Sequence, residues 1–291
     1  MKIIKYFFEF ICIISLFCIF KIIGLKNSSN LGSALGRSFG PIFRSKTITK
    51  KNIKNAFGEI SIEKEKEIIE SMWSNIGRTF AEYVFLKDFR LNKTNFNHMN
   101  INGLQHLYEI KKNNNPVIFY SAHLANFELM AMELDKLGIN CVAIYRPLNN
   151  FFLNPLMEYL RIKYICPNQI PKGRIGMREI INKFKNGFSI ALMVDQRVGE
   201  GPRVSFFGKL AHTTTIPAQL SLKYNCKLVP ISLERKEGSN FEMTIHEPYE
   251  ISKTDNEKED IRKITLKINQ DIEKMVLKNP KQWIWTHNRW K

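Results

Sequence analysis

The sequence is short of the residues that punctuate or cross-link a chain. Its 291 residues include 15 glycines, 11 prolines and 5 cysteines. So few glycines and prolines exclude a collagen-like or linker-dominated chain. Cys12, Cys18, Cys141, Cys166 and Cys226 are scattered and never form a CxxC pair. Neither a disulfide framework nor a zinc site is therefore expected, and the thiols read as facing a reducing compartment. His98, His106, His212 and His246 stand at no ligand spacing, so no metal or other cofactor is implied. GxSxG is absent, which excludes the nucleophile elbow of an α/β-hydrolase. There is no fixed-period repeat and no stretch rich in Pro, Gly or Ser.

Acidic residues are also scarce, with 27 Asp plus Glu against 44 Lys plus Arg and a net charge of +17. At 44% hydrophobic and 24% charged residues the chain is of ordinary globular composition, which excludes wholesale disorder. The basic excess has three candidate partners: nucleic acid, an anionic membrane surface or an anionic substrate.

Residues 6–25 read YFFEFICIISLFCIFKIIGL. At about 1.5 Å per residue, a helix of this length crosses a hydrocarbon core of roughly 30 Å. Only Glu9 and Lys21 interrupt it, and Gly24-Leu25-Lys26 is a poor cleavage site. The segment therefore reads as a retained anchor, with an interfacial helix as the alternative. Lys26, Arg37, Arg44, Lys46, Lys50, Lys51 and Lys54 follow it, and the positive-inside tendency keeps the downstream chain cytoplasmic. The expected organisation is an N-terminal membrane helix over 1–25 and one catalytic domain over 26–291.

Beyond the anchor, apolar runs alternate with helical patterns. A stripe through Ile68, Met72, Trp73, Ile76, Phe80 and Tyr83 predicts a helix over 61–88 with Ser61 as N-cap. Strands are predicted at 116–121, 141–145, 188–194, 227–233 and 241–245, and further helices at 126–137, 174–185 and 257–278. Near-continuous apolar strands between helices imply an α/β fold with a mostly parallel or mixed sheet flanked by helices. His123, Arg146 and Asp195 each follow a predicted strand, and the carboxyl ends of strands are where such sheets bind ligands.

The sharpest local feature is His123-Leu-Ala-Asn-Phe-Glu128. In one continuous helix the two side chains would lie roughly 140° apart. They can meet only if His123 stands in the turn after the strand and Glu128 opens the next helix. Glu128 could then accept a hydrogen bond from the imidazole and orient it as a general base. With no protein nucleophile in sight, the hydroxyl activated by this base would belong to a substrate, as in direct acyl transfer. Arg146 suits a phosphate or a developing oxyanion. Arg174, at a predicted helix start, is a second candidate for an anionic head group. Asp195 joins this substrate-binding set, in place to orient Arg146 or the Thr213 region. Trp283, Trp285 and Trp290 read as packing, and His287 as structural.

Six segments in order carry a resemblance: NIKNAFG at 52–58, SAHLANFE at 121–128, YRP at 145–147, DQ at 195–196, FFG at 206–208 with Thr213, Thr214 and Thr215 behind it, and QWIWTHNRW at 282–290. Together they resemble the late lipid A acyltransferases, the lauroyl and myristoyl transferases of lipopolysaccharide synthesis. These are related to the glycerolipid acyltransferases with their His-x4-acid signature. The resemblance implies a glycerolipid-acyltransferase-like fold at the inner membrane, an acyl-carrier-protein thioester as donor and a phosphorylated glycolipid acceptor. It also implies catalysis by His123 and Glu128. An acidic carrier, a phosphorylated acceptor and an anionic membrane would all account for the basic charge. Two other readings remain: transfer to another glycolipid or glycerolipid acceptor, and a membrane-tethered nucleic-acid-binding protein. The latter has no helix-turn-helix, RNP-like or zinc-finger pattern to support it.

Overall fold

The computed structural model describes residues 2–91, 98–199 and 201–291, without the side chain of Arg174. The chain opens with helices α1 (Lys2–Phe43), α2 (Lys46–Phe57) and α3 (Ile62–Glu82), and a 3-10 turn leads into α4 (Leu86–Leu91). There follow β1 (Met99–Asn102), α5 (Leu104–Asn113), β2 (Ile118–Ser121), α6 (Glu128–Lys136), β3 (Cys141–Tyr145) and α7 (Asn154–Leu160). A π-helical turn, Arg161–Ile165, extends α7 and is followed by β4 (Asn168–Pro171), α8 (Arg174–Lys185) and β5 (Ser189–Met193). A hairpin of β6 (Arg203–Phe206) and β7 (Lys209–His212) precedes α9 (Ile216–Tyr224), β8 (Leu228–Arg235), β9 (Phe241–Ile245) and α10 (Glu257–Lys278).

Seven strands form one mixed sheet in the order β1-β9-β8-β2-β5-β3-β4. Every neighbouring pair is parallel except β8 and β9. This is the expected α/β architecture. Helices cover both faces, so the central strand β2 is buried from Ile118 to Ser121. Its side chains alternate: Phe119 joins the core formed with α6 and α4, while Ile118 and Tyr120 join the core formed with α9 and α10.

The N-terminal helix is longer than its apolar run predicts. It breaks at Gly24, where φ is 78° and ψ 164°, and resumes as far as Phe43. Only glycine adopts such a conformation without steric cost. The first half is long and apolar enough to cross a membrane. The two charges within its apolar run are partnered: Glu9 with Lys5 at 3.7 Å and Lys21 with Asp88 at 2.9 Å. The second half buries only a sparse apolar face, Leu25, Leu31 and Leu35, beside its small residues, which is why sequence periodicity misses it. Its contact face is Ser29, Gly32, Ser33, Gly36 and Gly40, and it packs backbone to backbone on α3 at Gly77 and Trp73. A Cβ on Gly77 would strike the Gly32 carbonyl.

This close approach makes a stability prediction. Gly77→Ala should destabilise the protein by about 1–3 kcal/mol, the usual cost of overpacking. Ala34→Leu, on the exposed side of the same helix, should stay within about 0.5 kcal/mol. Thermal or denaturant unfolding in detergent checks both; equal stability of the two variants would contradict the packing.

Candidate active site

The site grows out of strand register. β2 and β5 are neighbours, with Ser121 opposite Met193. Two residues further along each strand, His123 and Asp195 face one another. The imidazole Nδ1 lies 2.7 Å from Asp195 Oδ1, and the His123 backbone N–H donates to Oδ2 at 3.1 Å. Trp283 Nε1 donates to the same Oδ2 at 2.7 Å. Asp195 is 2% exposed and His123 17%, so the carboxylate is sealed while one edge of the ring stays open.

The charges follow from this geometry. Burial alone would raise the Asp195 pKa, but the charge and hydrogen bond of His123, with the Trp283 N–H, hold it at about 2. Burial likewise pushes His123 down, and the charge and hydrogen bond of Asp195, helped by the charge of Glu128, reverse this and leave it above its usual 6.5. An ionised carboxylate only accepts hydrogen bonds, so in the neutral ring Nδ1 carries the proton and Nε2 keeps a lone pair. The Gln196 carboxamide nitrogen lies 3.5 Å from Nε2, and Phe127 meets the ring edge-on with centroids 4.6 Å apart.

Two expectations need correction. Glu128 does not orient the imidazole; that hydrogen bond belongs to Asp195. Glu128 opens α6 as expected, but its Oε1 accepts from Arg161 Nε at 3.1 Å, from a second Arg161 nitrogen and from the Tyr83 hydroxyl. Arg161 out-competes the imidazole because its fork reaches one carboxylate oxygen through two N–H groups. Burial lowers and the Glu128 charge raises the Arg161 pKa, with a net rise. Glu128 therefore acts on His123 by charge alone. Asp195, in turn, is not placed to bind substrate, since both its oxygens are occupied and buried. It orients His123 rather than Arg146 or the Thr213 region.

Arg146 is exposed at the end of β3, one strand beyond β5. Arg174 is the first residue of α8, and its side chain lies outside the described residues. His287 is a buttress: its Nε2 accepts the Arg197 backbone N–H at 2.9 Å. Burial, then the charges of His123, Arg289 and Arg197, outweigh Asp195 and bring its pKa to about 4. It is thus neutral at pH 7.

Sequence reasoning missed Arg161, Tyr83 and the polar role of Trp283. Arg161 sits on the π-helical turn after α7, a widened turn of the kind found at functional sites. No local motif marks Arg161 or Tyr83, whereas Trp283 stands in the QWIWTHNRW segment and reads there as packing. Among the described residues no set of His, Cys, Asp or Glu converges as metal ligands. A cavity of about 430 Å³ lined by His106, Glu109, Asn115, Pro116, Tyr224 and Lys227 lies at the opposite, amino-terminal end of β2.

The shifts define a pH window. The His123 contribution to stability is complete below 6.5 and fades as pH rises through its higher folded pKa. That of Asp195 is complete above 3.8 and fades as pH falls towards 2. Replacing Asp195 by Ala leaves burial as the dominant influence on the ring, so the His123 titration should move from above 6.5 to below it. A carbon-13 NMR titration of the imidazole measures this; an unmoved midpoint would show that Asp195 does not control it.

Comparison with known proteins identifies the family of the chain. The family described as bacterial lipid A biosynthesis acyltransferase matches residues 1–291. A lipid A biosynthesis palmitoleoyltransferase of Escherichia coli (strain K12) is 26% identical over 270 residues, covering 90% of this chain and 84% of the relative. A lipid A biosynthesis lauroyltransferase of the same organism is 23% identical over 273 residues, covering 90% and 84%. A lipid A biosynthesis acyltransferase of Haemophilus influenzae is 24% identical over 273 residues, covering 88% and 83%. With the match running from first residue to last, the resemblance carried by the six ordered segments becomes membership: this chain belongs to the bacterial lipid A biosynthesis acyltransferase family and is an acyltransferase.

Proposed function

We propose that the enzyme moves a fatty acyl chain from an acyl-carrier-protein thioester to a hydroxyl of a lipid A precursor, with His123 as general base. One observation carries this reading: Asp195 holds Nδ1 of His123 and leaves Nε2 free of the carboxylate, on a partly exposed ring at the strand ends, in a chain without a nucleophile elbow. Nε2 removes the proton of the acceptor hydroxyl as its oxygen attacks the thioester carbonyl. The C–S bond then breaks and the imidazolium returns the proton to the departing thiolate. Asp195 holds the tautomer and compensates the imidazolium. Glu128 adds negative charge to that compensation and fixes Arg161, whose guanidinium suits an oxyanion or phosphate. Arg146 and Arg174 serve the phosphates of the acceptor.

Residues 1–25 form the anchor in this proposal, with the glycine break at its end, and residues 26–291 form the catalytic domain. The domain works on the cytoplasmic side of the inner membrane, where its basic charge meets anionic lipid, carrier and acceptor.

Purified protein, acyl-carrier-protein thioester and an underacylated lipid A precursor test the reaction. His123→Ala should lower transfer by about 10²- to 10⁴-fold, the usual weight of a general base. Glu128→Ala should also lose activity, with both variants still folded. Normal transfer by His123→Ala would sink the mechanism. No transfer by native protein from the carrier thioester, alongside activity with another acyl thioester, would reassign the donor.

A further inference from the structure

The turn that joins His123 to Glu128 is held by groups outside the reaction. Ala125, in the middle of it, has φ of 51°, in the left-handed region that a non-glycine residue rarely adopts. Its carbonyl accepts two hydrogen bonds from α3: Asn75 Nδ2 at 3.0 Å and Thr79 Oγ1 at 3.1 Å. Next along the turn, Asn126 Nδ2 donates to Glu82 Oε2 at 2.9 Å. Residues 75, 79 and 82 recur at four and three, so one face of α3 supplies all three partners.

The partners are themselves locked. Arg235 at the end of β8 donates to both oxygens of Glu82, to Asn75 Oδ1 at 2.8 Å and to Thr79 Oγ1 at 3.3 Å. Ser29 of α1 and Ser239 also donate to Glu82. The side chains of Glu82 and Arg235 are 0% and 7% exposed, so neither reaches substrate. Buried ion pairs add little net stability, and their best-attested use is to specify one arrangement over others. The next residue of the chain, Tyr83, donates to Glu128 itself.

We propose that Asn75, Thr79, Asn126, Glu82 and Arg235 form a clamp of positioning residues that keeps Ala125 left-handed and thereby fixes Glu128 relative to His123. Relaxation of Ala125 to a right-handed or extended conformation would swing the start of α6 away from the end of β2. The protein would stay folded, but the two groups would lose their spacing. The inference rests on the proposed roles of His123 and Glu128.

Thr79→Val removes the hydrogen bond to Ala125 and the acceptor that Thr79 Oγ1 offers Arg235, with little change in shape, and Thr79→Ser retains both. Steady-state transfer should show kcat lowered about tenfold in Thr79→Val, since small misplacements of reacting groups are costly. KM for both substrates should stay within about twofold, because the binding groups are untouched, and the protein should still unfold cooperatively at a modestly lower temperature, because Arg235 keeps its bonds to Glu82. Thr79→Ser should restore kcat. Adding Asn75→Ala to Thr79→Val should deepen the loss; if that double variant fails to fold, the valine–serine pair still decides. Native kcat in Thr79→Val, or a loss that serine does not restore, would overturn the clamp. His123→Ala separates the two ideas: if it transfers normally the reaction mechanism fails, and if it is inactive while Thr79→Val is native only the clamp fails.

Discussion

Parallel pairing of β2 with β5 in one register is the constraint on which the rest of the site depends. A one-residue slip would turn the side chains of one strand to the opposite face and place Val194 or Gln196 where Asp195 now meets the imidazole. The register is secured by burial, since Ile118, Phe119, Tyr120, Ile190 and Ala191 all lie in the two cores that sandwich the sheet. Trp283 then closes the site from the C-terminal segment, and its N–H completes the coordination of Asp195. Asn52 of α2 in turn fastens that segment by donating to the Trp285 and His287 carbonyls at 2.7 and 2.6 Å.

Two carboxylates act on one imidazole in different ways. Asp195 is sealed and bonded to the ring, so its field is felt at short range in a poorly solvated environment. Glu128 accepts from the Tyr83 hydroxyl and is paired with Arg161, whose charge offsets its own while leaving a smaller contribution to the His123 pKa. The arrangement keeps the ring basic without holding a second full negative charge beside it. It also leaves a guanidinium near the proposed site of acyl transfer, where a negatively charged oxygen would develop. Below both groups, α3 bridges α1, the motif turn and β8, so the apolar N-terminal helix and the candidate site share one scaffold.

Much of the fold was legible because its elements obey simple periods. α3 and α10 carry apolar residues at helical spacing, and β2, β3 and β5 are short apolar runs ended by Gly or polar residues. Less legible were β1 and β4, which lie at the sheet edges with mixed burial, and the second half of α1, whose contact face is glycine and serine. A helix that packs largely through its backbone leaves only a sparse apolar stripe to read. In the site, His123 stood out from a local motif, whereas its partner Asp195 is 72 residues away in the chain. The local motif suggested Glu128 instead, the nearest acid in sequence. Proximity along the chain was the wrong guide because a parallel sheet joins neighbours only through long crossovers.

The amino-acid sequence alone determined the class of fold, the apolar N-terminal helix, the basic charge and a His-x4-Glu motif in a chain without a nucleophile elbow. All of these are properties of composition or of residues a few positions apart. Tertiary structure decided which acid holds the base, that Arg161 and Tyr83 hold the other acid, and that α3 carries the turn between them. Those pairings depend on strand order, register and the direction of a π-helical turn. Such features arise from packing between distant segments, so no local pattern encodes them.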